Sequence, residues 1–293
     1  MRIIIIGGGS IGLLLAAKYT IINHTVTVVS HHREQADDIK VNGIHYIGEI
    51  ERRVHVRSTH HLPKEKTDLV IVAVKSHHVP AVIAMIHETY DSGDSPDLLF
   101  IQNGMGHIQH LDSLPHNMMV GVIEHGARKK DSVTVEHTGV GVLRVSSYQG
   151  VPRTFDDLSS TEFPMVYEPD WYRMLAKKLV VNCAINPLTG IYQVSNGELL
   201  MNARFYVIMR ELVKEASTVL QLDFEESWNN VQTVCKQTRT NTSSMLADLV
   251  SGRPTEIDAI TGVILKEAES KGIYVPYSRF AFDSIKGLEK KSR

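Results

Sequence analysis

The chain has 293 residues, 43% of them apolar and 22% charged, and a formal net charge of -2. At about 150 residues per domain this predicts two domains, each able to bury a core without metal or disulfide staples. The near-neutral balance excludes a global field for nucleic acid or anionic membrane, and two cysteines without CxxC spacing, Cys183 and Cys235, exclude a disulfide framework and fit a reducing compartment.

Ile3 to Ile6 is a short β-branched run that predicts a central strand buried on both faces. Gly7-Gly8-Gly9-Ser10-Ile11-Gly12 reads as a turn and Leu13 to Ile22 as a helix. Further strands are predicted at 25–29, 68–74, 98–101 and 118–123, most of them separated by helical or turn segments. Such alternation predicts a doubly wound parallel sheet. Residues 41–60, with Asn42-Gly43 and alternating Val54 and Val56, predict an antiparallel insertion, and 133–145 a second hairpin. From Trp171 the pattern is helical, over 170–195, 199–221, 240–251, 255–271 and 277–288. The tail Lys286, Lys290, Lys291 and Arg293 reads as a solvated end. With no secretory signal and no apolar run of about 20 residues, a cytoplasmic location is expected.

Gly7-x-Gly9-x-x-Gly12 directly follows a strand and opens a helix, the arrangement a dinucleotide site needs. Gly7 permits the tight turn, Gly9 lets backbone approach a pyrophosphate, and Gly12 lets helix pack on strand. The helix start offers free N–H groups and a positive dipole end. NAD sites usually carry an acid at the tip of the second strand, but here the chain runs Val29-Ser30-His31-His32-Arg33. That swap of acid for base favours NADPH, with Arg33 and its neighbours meeting a 2′-phosphate. The architecture expected is α/β: an N-terminal Rossmann-type NADP-binding domain, residues 1–168, then an all-α substrate-binding domain, residues 169–293, with the active site in the cleft between.

Leu175 to Asn186 is apolar nearly all round, which predicts a buried helix. Lys178, Asn182 and Asn186 interrupt it at i, i+4, i+8, a stripe about 80° wide. Pro187 is expected to end or kink the helix there. Either protein groups satisfy this buried polar stripe, or a carboxylate or carbonyl ligand does. Lys177 lies about 100° away, so Lys178 is the better candidate. A lysine ammonium can polarise a ketone oxygen and then protonate it, while a nicotinamide supplies hydride to carbon.

In order along the chain, Gly7 to Gly12, Val74-Lys75, Gln102-Asn103-Gly104, Lys178-x-x-x-Asn182-x-x-x-Asn186-Pro187, Asn196-Gly197-Glu198, Ser243-Ser244-Met245 and Thr255-Glu256-Ile257-Asp258 resemble the ketopantoate reductase family. The resemblance runs from Met1 to the last helix. It implies NADPH-dependent reduction of 2-dehydropantoate to (R)-pantoate, on the way to pantothenate and coenzyme A. It makes Lys178 the proton donor, with Asn182, Asn186 and Asn196 lining the substrate site. Asn241 and Ser244 would hold the substrate carboxylate from one helix face. Lys75 and Asn103 would face the cofactor, Asn103 the substrate as well, Ala127 would offer the cofactor backbone contacts, and Glu256 would lie near the nicotinamide ribose and Lys178 as a second catalytic residue. Each also has a plainer reading: Glu256 as a first-turn acid on a helix capped by Thr255, Asn196-Gly197 and Asn103-Gly104 as turns, Lys75 as a surface lysine. The family's basic residue often follows the second strand directly; here Ser30-His31-His32 intervene before Arg33.

The sequence has 15 histidines, with pairs at 31–32, 60–61 and 77–78, but no HExxH or Cys/His ligand set, so no metal is expected. No GxSxG motif supports a serine hydrolase. The expected partner is a small 2-oxo acid, with no nucleic acid and no membrane, and a homodimer is left open. The rival readings are a related NAD(P)-dependent reductase of another 2-oxo acid and a non-catalytic NADP(H) sensor, against which a proton donor phased with two carboxamides argues.

Overall fold

A computed structural model describes residues 1–90, 95–154, 158–160 and 163–291, so Arg293 of the basic tail lies outside the described residues. The chain divides into two compact units, Met1–Gln102 with His107–Met174, and Asn103–Gly106 with Leu175–Arg293.

In the first unit, β1 (Arg2–Ile6) is followed by α1 (Ser10–Ile21), β2 (Thr25–Val29), α2 (Arg33–Asn42), β3 (Ile44–Ile47), β4 (Glu51–Val54) and β5 (Arg57–Thr59). Then come β6 (Leu69–Val72), α3 (Val79–Thr89), β7 (Asp97–Phe100), β8 (Met118–Ile123), β9 (Gly126–Lys129), β10 (Thr134–Gly139), β11 (Leu143–Gln149) and β12 (Met165–Tyr167). The main sheet runs β12-β11-β8-β7-β6-β1-β2-β5, parallel from β8 to β5, with β11 antiparallel to β8. The chain leaves β1 for β2 on one side and later crosses to β6 on the other. The order therefore reverses beside β1, the switch point at which doubly wound sheets bind ligands. The isoleucines of β1 and all of β6 and β7 are buried, as continuous apolar runs predict.

A second sheet, β4-β3-β10-β9, accounts for two differences from expectation. Asn42-Gly43 is not a hairpin turn: Asn42 ends α2 and Gly43 caps it at φ 67°. The β3–β4 hairpin does form, turning at Gly48 to Ile50, but β5 leaves it and joins β2 in parallel. The segment 133–145 is not a hairpin either, because β10 pairs with β9 and β3 whereas β11 pairs with β8 and β12. Alternation predicts that a strand exists, not which sheet receives it.

Helix α1 packs against β1 and β2 on one side and against β3, β9 and β10 on the other. Its Gly12–Tyr19 stretch is therefore buried all round, Lys18 included. The Lys18 ammonium is met by Glu49 Oε2 at 3.0 Å. Glu49 also accepts from Tyr46 and lies 3.2 Å from His137 Nδ1, and His137 Nε2 lies 3.0 Å from His125 Nδ1. A buried ammonium needs such partners, since an unpaired charge costs several kcal/mol.

The regular structure described in the second unit is all helical: α4 (Trp171–Tyr192, of which Leu175 onward belongs to this unit), α5 (Glu198–Met201), α6 (Ala203–Val219), α7 (Phe224–Gln237), α8 (Ser244–Val250), α9 (Thr261–Lys271) and α10 (Pro276–Lys291). Its core gathers Leu179, Leu188, Met209, Val213, Trp228 and Ile264. Helix α7 was not expected from the sequence, because its asparagines and β-branched residues weaken the helical signal. Asp223 caps it by accepting from Glu226 N at 2.7 Å, and Ser227, Trp228, Val231 and Cys235 form its buried stripe. Pro187 does not end α4, which continues to Tyr192. Beyond the proline, the Thr189 hydroxyl donates to the Ile185 and Asn186 carbonyls at 2.9 and 3.0 Å. No helix among the described residues is long and apolar enough to cross a membrane.

Candidate active site

The glycine turn has the geometry its spacing predicts. Gly7 sits at φ 120°, and a Cβ there would lie 2.9 Å from the Ala73 backbone. A Cβ on Gly12 would lie 1.8 Å from Gly7 O, so α1 presses directly onto the turn. Gly9 is the N-cap of α1, and a Cβ there would meet nothing within 4 Å. Ser10, Ile11 and Gly12 open the helix beyond it, in the orphan-donor positions of a helix start. An exposed glycine edge beside those donors fits an approaching pyrophosphate.

Two residues that the sequence did not single out brace this turn. The Gly8 carbonyl accepts from Gln35 Nε2 at 2.8 Å and from Lys129 Nζ at 3.0 Å. Gln35 also donates to Ser132 O at 2.9 Å. Burial, partly offset by Asp131, lowers the Lys129 pKa. Lys129 is about 120 residues from the turn it supports, so no local pattern could reveal it.

The carboxyl ends of four neighbouring strands stand level. Val29, Ile6 and Val72 are partners across β2, β1 and β6, and Val29 is the partner of Thr59 in β5. Lys75 follows β6 and is partly buried. Arg33 begins α2, is exposed, and pairs with Asp37 at 3.7 Å. Ser30 is fully buried, and its hydroxyl has no hydrogen-bond partner among the described residues. Ala127 lies in β9 opposite His137.

In the second unit, Lys178, Asn182 and Asn186 lie on one continuous helix, so the i, i+4, i+8 stripe exists as predicted. Lys178 is partly buried, and Asn182 and Asn186 are buried. Asn182 Nδ2 has no hydrogen-bond partner among the described residues. Lys177 points elsewhere and pairs with Glu226 at 2.6 Å. Asn196 N donates to Asn241 O at 3.1 Å, and Asn196 Nδ2 donates to Thr238 Oγ1 at 2.9 Å, while the buried Asn196 Oδ1 has no partner among the described residues. Asn241 and Ser244 do not share a helix face. Asn241 lies in the loop before α8, because the buried Ser243 hydroxyl caps that helix by accepting from Leu246 N at 3.1 Å. Both Asn241 and Ser244 are exposed.

Glu256 is not in the first turn of a helix, since α9 begins only at Thr261. Helix-dipole stabilisation therefore does not explain it. Asn103 Nδ2 donates to Glu256 Oε2 at 3.0 Å. The next residue, Gly104, has φ 76°, and a Cβ there would lie 2.0 Å from Ala259 O. Only glycine allows that approach, and Met105 N then donates to Ala259 O at 3.1 Å.

Two family models match most of the chain. Ketopantoate reductase PanE/ApbA matches residues 3–150, and Ketopantoate reductase PanE/ApbA C terminal matches 170–289. A 2-dehydropantoate 2-reductase of Bacillus subtilis is 42% identical, covering 100% of this chain and 99% of its own. The crystal structure of a probable 2-dehydropantoate 2-reductase from Bacillus subtilis superposes with a TM-score of 0.87 at 40% identity, over 98% of this chain and 100% of that one. A dimeric ketopantoate reductase from Staphylococcus aureus shares the fold, with a TM-score of 0.83 at 23% identity and full coverage of both chains, 100% each. Fold and glycine turn, taken with these likenesses, define a Rossmann-type oxidoreductase with a helical second unit. The chain belongs to the ketopantoate reductase family.

Proposed function

We infer that the protein reduces 2-dehydropantoate to (R)-pantoate with NADPH, as a cytoplasmic homodimer serving pantothenate and coenzyme A synthesis. Residues 1–168 form the NADP-binding domain and 169–293 the substrate-binding domain. The observation that carries this reading is the buried carboxamide of Asn182, on the same helical stripe as Lys178, whose Nδ2 has no acceptor among the described residues. An unpaired buried donor costs about 1–3 kcal/mol, and a site evolved for a polar oxygen explains why it is tolerated. The relatives' names and the dimeric relative from Staphylococcus aureus support the same reading.

Gly7, Gly8, Gly9, Ser10, Ile11 and Gly12 hold the dinucleotide pyrophosphate, Arg33 the 2′-phosphate, and Lys75, Asn103 and Ala127 flank the cofactor. A nicotinamide cofactor, when bound, would supply hydride to the substrate carbon. Lys178 holds the carbonyl oxygen and gives its Nζ proton to the alkoxide that develops there. Asn182, Asn186 and Asn196 orient the substrate. Asn241 and Ser244 receive its carboxylate from a loop and a helix start rather than from one helix face. Glu256, fixed by Asn103, serves the nicotinamide ribose and Lys178.

The test is absorbance of NADPH during incubation with a panel of 2-oxo acids, repeated with NADH. Steady NADPH oxidation with 2-dehydropantoate, and a much higher kcat/KM than with NADH, is expected. Preference for another 2-oxo acid, or tight dinucleotide binding without turnover, would replace the assignment.

A further inference from the structure

Three histidine pairs, remote in sequence, meet the same edge of the main sheet. His31-His32 follows β2, His60-His61 follows β5 and His77-His78 belongs to the turn after β6. The strands they follow end level with the glycine turn after β1. Neighbouring strands lie about 4.8 Å apart, so the pairs flank the turn within a few strand spacings. Contacts between rings bear this out across the gap: His31 and His78 are stacked, with centroids 6.4 Å apart and planes at 24°. His31 also meets His32 at 4.8 Å, and His77 meets His78 at 4.1 Å.

Imidazoles crowd one another at a cost once charged, and a lone ring gains nothing from such company. A ligand with two negative charges reverses the balance. The rest of the surroundings is mixed: Lys75 adds positive charge, Glu34 negative charge, Arg33 is paired with Asp37, and Arg57 is paired with Glu65 at 3.0 Å. Among the described residues no set of three or more His, Cys, Asp and Glu is placed to hold a metal ion. A dinucleotide seated on the glycine turn runs its adenosine ribose toward the end of β2, where NADP(H) differs from NAD(H) by one phosphate.

We propose that the histidines at this edge, chiefly His31 and His78 with their neighbours His32 and His77, form a protonation-dependent site for the adenosine 2′-phosphate, so that selectivity for NADP(H) over NAD(H) rises as pH falls. This deepens the cofactor reading above and rests on it. In the free protein, burial first, then the charges of His77, His31 and Lys75, lower the His78 pKa. A bound phosphate dianion raises it, so protons are taken up on binding. The phosphate's own second ionisation, near about pH 6, has the opposite sign, because binding the dianion releases its proton. The measurement therefore belongs between about pH 6.5 and about pH 8, where the phosphate is mostly dianionic.

The experiment is titration calorimetry of the full chain with NADP+ and with NAD+ across that range, in two buffers of different ionisation enthalpy. The ratio of the NAD+ to the NADP+ dissociation constant is expected to rise roughly three- to tenfold from the alkaline to the acid end, with proton uptake for NADP+ alone. A His31→Gln/His78→Gln double variant is expected to flatten that rise and abolish most of the uptake. NADP+ preference with a flat pH profile, or a profile unchanged in the double variant, overturns the inference and leaves the cofactor reading standing. Failure to bind either dinucleotide at any pH overturns both.

Discussion

Asn103 Nδ2 donates to Glu256 Oε2 at 3.0 Å, across 153 positions of sequence. This bond, with the Gly104–Ala259 approach, fixes a carboxylate that no helix dipole explains. Glu256→Gln keeps the shape and removes the charge. A loss of roughly ten- to hundredfold in kcat/KM is expected, with a smaller loss for Asn103→Ala, which leaves the carboxylate in place but unfixed. Steady-state kinetics of both variants checks the order, and an Asn103→Ala loss larger than that of Glu256→Gln would break it.

Lys178→Ala is expected to bind NADPH as the wild type does and to lose about 10²- to 10⁴-fold in kcat, the usual worth of a general acid. Fluorescence titration with NADPH and single-turnover kinetics separate the two effects. Lys177→Ala, which removes only the surface pair with Glu226, is expected to cost less than about 1 kcal/mol of stability and nothing in turnover.

Asn182 should show activity and stability moving in opposite directions. Asn182→Leu removes a buried amide donor that has no partner among the described residues and refills the space with apolar atoms. Stability is expected to rise by about 1 kcal/mol, or at least not fall, while KM for the 2-oxo acid rises at least about tenfold. Urea denaturation beside initial-rate kinetics is the check; a clear loss of stability would mean that the amide is satisfied within the fold.

Gly9 and Gly12 separate ligand approach from internal packing. A Cβ on Gly9 points into open space, whereas one on Gly12 would overlap Gly7 O. Gly9→Ala is expected to leave the melting temperature within about 2 °C and to weaken NADPH binding about tenfold or more. Gly12→Ala is expected to lower both, with a stability cost of about 2 kcal/mol or more.

His107 and His125 are buried, and burial, aided by nearby positive charge, holds each near a pKa of about 4. Their unfolded values are about 6.5, so between these limits the unfolded chain binds more protons than the folded one. Stability is therefore lost as pH falls from about 6.5 toward 4, by about 2 kcal/mol per histidine at pH 5. Urea midpoints at pH 7 and pH 5 measure this. Both ring nitrogens of His107 lack partners among the described residues, so His107→Leu is expected to remove about half of the dependence and leave the His125 share.

The sheet was legible because its central strands are buried on both faces and announce themselves as unbroken apolar runs, Ile3–Ile6 and Leu69–Val72 above all. Short edge strands such as β5 and β12, half exposed and bounded by no strong turn chemistry, carried no comparable signal. The Lys178 stripe was legible because helical periodicity alone places its members. Asn241 was misplaced for the converse reason: the spacing fitted a helix, but the capping hydroxyl of Ser243 starts α8 after it. The support given to Gly8 by Gln35 and Lys129, and the bond from Asn103 to Glu256, are products of tertiary folding that no local pattern encodes.

Lys129 lies on the small sheet, yet its ammonium reaches back to the Gly8 carbonyl. The ribbon that looks like ornament on a minimal nucleotide fold is thus a buttress. An engineer who transplants only the central strands and the glycine loop to a new scaffold leaves behind one of the two props that set the loop's shape. Trimming β9 and β10 for the sake of a smaller protein would be felt at a grip that neither strand touches in sequence.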